Sequence, residues 1–245
     1  MRNSDTRTII REVSTINVPW KVGSAAWAEC LRRSVTPGVD FIGMNEVFTR
    51  QQKSVLAKEM GHHMLAEAGL FTGPNPLFFC SKKYGLVESR NVLLHGRGPQ
   101  YRTWPGFNER RYANDCALRD KRTGEEIGVI VTHLVPQPGK KVQKAWRAVV
   151  MYRSRLRLNR LIKRHLRVGR NEVWVLGDTN EPGDKPNLYR VKWVRPEGID
   201  KIGLALRKQK GTAKVRMVRN IDWALYQAPT DHKHGLRAWY RLVMY

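Results

Sequence analysis

The chain has 245 residues, 41% of them hydrophobic and 9% aromatic, enough for one large α/β core or two small ones and too apolar for long disorder. Its 45 Lys and Arg against 21 Asp and Glu give a formal charge of +24. A field of that size repels itself and calls for a polyanionic partner, nucleic acid ahead of an acidic membrane surface.

Three scattered cysteines, Cys30, Cys80 and Cys116, form no Cys-x-x-Cys pair. That argues against a disulfide framework and a structural zinc site and for reduced thiols. Met1 to Arg7 has no apolar leader core, and no run approaches the length of a membrane span. A cytoplasmic protein with no membrane partner is expected.

In chain order, residues 8–18 alternate apolar and polar and predict a strand that ends at Asn17. Residues 25–33 read as a helix stopped by Thr36-Pro37-Gly38, and residues 40–47 as a second strand that finishes on Glu46. A helix over 49–60 follows, then short strands over 64–68, 77–80 and 86–94. A Gly- and Pro-containing loop over 97–111 carries Tyr101, Arg110 and Arg111. Residues 112–119 and 126–134 predict a hairpin around Lys121-Arg122-Thr123-Gly124, its second strand ending in Thr132-His133-Leu134.

Residues 140–167 give the longest helical pattern, with Val142, Ala145, Val149, Tyr152 and Leu156 as its apolar stripe. Twelve Lys and Arg fall between Lys140 and Arg170, with no acid among them. A solvated outer face and a direct nucleic-acid contact both account for that charge. Next, Val173-Trp174-Val175-Leu176 reads as a buried strand broken by Gly177, with Asp178 and Asn180 just beyond. Alternate residues of an extended chain share a face, so the two can serve one site, the carboxylate orienting a water and the amide holding an oxyanion. The same residues also suit an Asx-turn. Further strands are expected over 198–202, 215–218, 223–226 and 236–243, with Thr230-Asp231-His232 before the last. Strands and helices alternate with no linker or repeat, which predicts a single α/β domain over residues 1–245.

Asn17, Asp40-Phe41-Ile42-Gly43-Met44-Asn45-Glu46, Thr132-His133-Leu134, Gly177-Asp178-Thr179-Asn180, Ile199-Asp200 and Thr230-Asp231-His232 together resemble the endonuclease/exonuclease/phosphatase superfamily. The resemblance runs from Asn17 to His232 and implies the deoxyribonuclease-I-like fold. That fold is a four-layer α/β sandwich of two mixed sheets face to face with helices outside, and its catalytic groups gather at one edge.

The resemblance also implies roles. Glu46, Asn17 and Asp231 hold Mg²⁺ or Mn²⁺, hard cations that suit oxygen donors. Asp178 positions the attacking water and Asn180 a phosphate oxygen. His232 pairs with an upstream aspartate. Asp200 is preferred to Asp222, which lies only nine residues before Asp231. His133 is a general acid or phosphate contact, with Asp115 as its nearest candidate carboxylate, and Tyr101, Arg110 and Arg111 touch the substrate.

Fold leaves the substrate open. Charge over the whole domain favours a nuclease, which the resemblance implies is metal-dependent, and a monomer acting on DNA ahead of RNA is expected. The alternatives are tyrosyl-DNA-type end processing, since Gly177-Asp178-Thr179-Asn180 and Thr230-Asp231-His232 also resemble that subgroup, hydrolysis of a small-molecule or lipid phosphoester, and a binding-only relative.

Overall fold

The computed structural model describes residues 12–17, 39–45, 47, 63–66, 75–96, 110–134, 141–170, 172–178, 192–193, 222–227 and 237–238, with backbone alone at 12–17, 63–66, 141–147, 178, 192–193, 222–227 and 237–238. The predicted helices over 25–33 and 49–60 and the strands over 198–202 and 215–218 lie outside these residues. The described strands are β1 (Glu12–Asn17), β2 (Phe41–Asn45), β3 (His63–Ala66), β4 (Leu77–Cys80), β5 (Tyr84–His95), β6 (Arg111–Asp120), β7 (Glu126–His133), β8 (Glu172–Asp178), β9 (Lys192–Trp193), β10 (Asp222–Gln227) and β11 (Arg237–Ala238). A long helix, α1 (Lys141–Arg167), crosses from β7 to β8.

The strands form two mixed sheets, ordered β11-β1-β2-β4-β3 and β5-β6-β7-β8-β10-β9. In the first, β1 runs parallel to both β2 and β11. In the second, β7 and β8 are parallel, because α1 carries the chain back between them, and the other neighbours are antiparallel. β8 sits between β7 and β10 and is buried on both faces, which is why its sequence is a continuous apolar run and not an alternating one.

The sheets pack face to face with β1 and β2 over β7, β8 and β10. Phe41 of β2 meets Trp174 of β8 edge-on, with ring centroids 5.7 Å apart, and Trp174 donates its indole N–H to Glu172 at 2.7 Å. The layers approach so closely at Gly43 that a Cβ there would lie 2.7 Å from that of Leu176.

On its other face the six-stranded sheet is covered by α1, through Val150, Met151, Leu158, Leu161 and Ile162. This corrects the expected stripe. Val149, Tyr152 and Leu156 are exposed, Tyr152 to 60%. The buried face is fixed from the helix's C-terminal end, where Leu158, Ile162 and His165 seat on the sheet, and it continues upward through Ser154, Met151 and Val150. His165 fits because β7 offers Gly128 beneath it. A Cβ at Gly128 would come within 2.7 Å of the imidazole.

Candidate active site

The chain ends that carry the predicted chemistry meet at one edge of the sandwich. In the six-stranded sheet the Cα of His133 pairs with that of Asp178, and the Cα of Asp178 with that of Asp222. Three adjacent strands therefore present His133, Asp178 and Asp222 at one level. In the five-stranded sheet Asn17 pairs with Asn45, one residue before Glu46.

Asn45 joins the two sheets at this edge. Its side chain is fully buried and donates from Nδ2 to the carbonyl oxygen of Thr132 at 2.8 Å and to Oδ1 of Asn75 at 3.2 Å. Asn75 in turn donates to the carbonyl oxygen of Tyr112 at 2.8 Å. Two buried amides thus tie the end of β2 to β6 and β7. The same Asn45 lies against Gly177, where a Cβ would stand 2.7 Å from its Oδ1 and collide with the carbonyl oxygen of Thr132. Glu46, His133 and Asp178 each directly follow one of these three contacting residues, Asn45, Thr132 and Gly177.

Gly177 does not break β8, as its residue type suggested. The strand continues through it to Asp178 with φ at +115°, a conformation open to glycine and costly to other residues. Asn45 and Thr132 also leave no room for a side chain there, so glycine is required twice over.

His133 shares its face of β7 with Val131, the face turned toward β2, and is 5% exposed. Burial, and secondarily the positive charge of Arg111, push its pKa down to about 3. In this setting the ring is neutral at pH 7, so it can contact a phosphate through a neutral N–H and is not an imidazolium acid. Between about pH 3 and 6.5 the unfolded chain binds a proton at His133 that the folded one refuses, so stability rises with pH across that window. Lowering pH from 7 to 5 is expected to cost the wild type about 2 kcal/mol more than His133→Leu. Urea unfolding at the two pH values measures it, and equal losses in both proteins would remove the assignment.

Asp115 does not partner His133. It pairs with Ile130 in the register of β6 and β7, on the face covered by α1. Its Oδ1 accepts from Nε2 of His165 at 2.6 Å and its Oδ2 from Arg90 at 2.6 Å. Burial alone would raise this carboxyl, but the hydrogen bonds and charges of His165 and then Arg90 outweigh it and hold the pKa below the usual range. Arg170 stands on the far side of the ring, 3.2 Å from Nδ1, and bonds Glu126. This network and the Asn45–Asn75 pair are what sequence reasoning missed. Asn45 had a signal in its place beside Glu46, whereas the others depend on long-range partners.

Of the remaining predicted residues, Arg110 is exposed at the entry to β6, and Arg111, the first residue of β6, is buried. Glu46, Tyr101, Asn180, Asp200, Asp231 and His232 lie outside the described residues, and Asn17 and Asp178 are placed by backbone. Asp222, set aside on spacing, is brought beside Asp178 by the register. Among the described residues no three of His, Cys, Asp or Glu gather as a metal site, and no helix is long and apolar enough to cross a membrane.

No family model and no curated protein sequence matches the chain. Solved structures do. An endonuclease/exonuclease/phosphatase family protein from Bacteroides thetaiotaomicron matches with a TM-score of 0.57 at 15% identity, over 88% of this chain and 82% of that one. The chain has the deoxyribonuclease-I-like fold of the endonuclease/exonuclease/phosphatase superfamily. Mannosyl-6-phosphatase Bt3783 from the same organism shares this deoxyribonuclease-I-like fold, with a TM-score of 0.60 at 15% identity over 91% of this chain and 86% of that one. So does D. rerio TDP2 complexed with single-strand DNA product, with a TM-score of 0.55 at 14% identity over 89% and 84%. The predicted sandwich of two mixed sheets is this deoxyribonuclease-I-like architecture.

Proposed function

We propose that the chain is a divalent-cation-dependent phosphodiesterase that hydrolyses the backbone of nucleic acid, DNA ahead of RNA, as an endonuclease. The observation that carries this reading is the Asn45 junction, which brings the residues preceding Glu46, His133 and Asp178 into contact. The fold is shared by a mannosyl-6-phosphatase and by a protein holding a single-strand DNA product, so the substrate is argued from charge. A net +24 spread over the domain suits a polyanion, and a small phosphoester needs only a local basic pocket.

The donor set fits a hard cation. Asn17, Glu46 and Asp231 offer carboxylate and amide oxygens, the ligands Mg²⁺ and Mn²⁺ take. Among the described residues, Cys116 is a buried thiol whose pKa is pushed up to about 12, chiefly by burial, which makes it a poor ligand. When bound, such a cation neutralises charge that develops on the phosphate in the transition state. The chain's own groups do the rest. Asp178 orients and deprotonates the attacking water, Asn180 holds a non-bridging oxygen, and His133 donates a neutral N–H to the phosphate. Either Asp222 or Asp200 steadies His232, and Arg110 and Tyr101 meet the flanking backbone.

Nicking of supercoiled plasmid tests this, with Mg²⁺ or Mn²⁺ against EDTA, for the wild type and Asp178→Asn. The expected result is relaxed circles from the wild type only, and only with the cation. Retarded but intact plasmid would replace the nuclease with end processing or binding alone. Neither binding nor nicking at low salt would return the choice to small or lipid phosphoesters.

A further inference from the structure

The outer face of α1 carries more charge than its contacts with the sheet use. Arg153, Arg157, Arg160 and Arg167 are exposed on it and fall at intervals of three, four and seven residues, a single stripe along the axis with Arg164 completing its period. No acid lies anywhere in the helix. A merely solvated face gains by alternating acids with bases at i,i+4, whereas here Arg153–Arg157, Arg160–Arg164 and Lys163–Arg167 set like charges one turn apart. Among the described residues only Arg164 in the stripe is paired with acids, Glu88 and Asp115; Arg157 instead donates to the carbonyl oxygens of Leu93 and Leu94. Tyr152, beside the stripe on the adjoining exposed face, is 60% exposed.

This stripe is continuous with the catalytic edge. Arg153 and Arg157 act on His95, the last residue of β5, whose pKa is lowered first by burial and then by Arg111, Arg157 and Arg153. His95 pairs with Arg111 in the sheet register, and Arg111 acts on His133. The stripe thus reaches the end of β5, where Arg157 bonds the carbonyls of Leu93 and Leu94 and the register sets His95 beside Arg111, and it runs down the helix with a cation at about every 5.4 Å turn.

We propose that the outer face of α1 is a docking track for the phosphodiester backbone of nucleic acid, outside the cleft, holding a stretch of the strand away from the bond being cut. The occupant is named by charge complementarity. A continuous polyanion relieves the like-charge pairs along the whole stripe, which a single phosphate cannot do. This rests on the nucleic-acid reading above but not on hydrolysis.

The test measures binding of a 30-base-pair duplex in EDTA as a function of salt, for the full chain and for Arg153→Gln/Arg160→Gln/Arg167→Gln. Arg157 is left in place because it holds β5. If the three arginines each neutralise a phosphate, the slope of log K against log salt becomes shallower by about 2 to 3 and affinity at 50 mM salt falls tenfold or more. Hydrolysis of bis(p-nitrophenyl) phosphate with Mn²⁺ stays unchanged, and the triple lysine variant keeps the steep slope. An unchanged slope would overturn the track, as would lysine substitutions as damaging as glutamine. Unchanged DNA binding with lost binding to phosphatidylglycerol vesicles would overturn it in favour of a membrane surface. A wild type that hydrolyses no phosphodiester but binds the duplex with a slope that the glutamine variant makes shallower sinks the nuclease and supports the track. One that nicks plasmid while the glutamine variant keeps its slope does the reverse.

Discussion

Gly177→Ala is expected to cost on the order of 2 to 5 kcal/mol of stability and to take plasmid nicking with it. Two effects add at this position. A φ of +115° strains any L side chain, by roughly 1 to 2 kcal/mol. The new methyl also collides with the carbonyl oxygen of Thr132 and with Asn45, so β2 and β7 must separate at the edge where Glu46 and His133 follow. Overpacking of that kind costs roughly 1 to 3 kcal/mol more. Gly169→Ala separates the two effects, since Gly169 has φ at +84° with no atom within 4 Å of the added Cβ. It should lose only the strain, about 1 kcal/mol, and leave nicking intact. Urea midpoints and nicking rates of the two variants decide the matter. Equal, small losses in both would mean that Asn45 and Thr132 do not crowd Gly177 and that the junction is looser than its geometry.

Residues whose partners are near in sequence, or whose burial is complete, were readable before the fold was. Leu77–Cys80 and the α1 boundary at Arg167 stand where the pattern put them, and β8 was marked by its unbroken apolar run. The edge of the sandwich was legible because acids and amides stood just past apolar strands, where a plain core would not carry them. Gly177 misled because a glycine after a strand is usually a breaker. What excludes a side chain there is Thr132 together with Asn45, 132 residues earlier, and nothing local announces that contact. The α1 stripe misled for the opposite reason. Val149, Tyr152 and Leu156 have the right spacing, but the face that docks is chosen by His165 and its partner on β6. Spacing also counted against Asp222, whereas the register of β10 on β8 puts it beside Asp178.

Removing Asp115 is expected to destabilise the protein by about 3 to 5 kcal/mol, more than loss of an ordinary buried side chain would explain. The carboxylate is fully buried beneath α1 and answers three cationic or donating groups at once, His165, Arg90 and Arg164. Arginine can only donate, so the close approach of Arg170 makes Nδ1 of His165 the acceptor and leaves Nε2–H to donate to Asp115. Asp115→Leu therefore strands the N–H of His165 in a dry place and takes a carboxylate from two partly exposed guanidiniums. Replacing both partners removes the stranded donor, and Arg90, which is 36% exposed, can turn to water. Asp115→Leu/His165→Leu should then be more stable than the sum of the single losses allows, with a coupling of about 1 to 3 kcal/mol. Simple additivity in urea unfolding would mean that the pair is not a unit. The network also has a pH sign. Asp115 is held below the usual carboxylate range, so its stabilisation is present above the unfolded pKa of 3.8 and is lost as pH falls through the lower folded value. Acid unfolding of the wild type should accordingly draw on Asp115 once pH falls below 3.8, and in Asp115→Leu that part of the loss should be smaller.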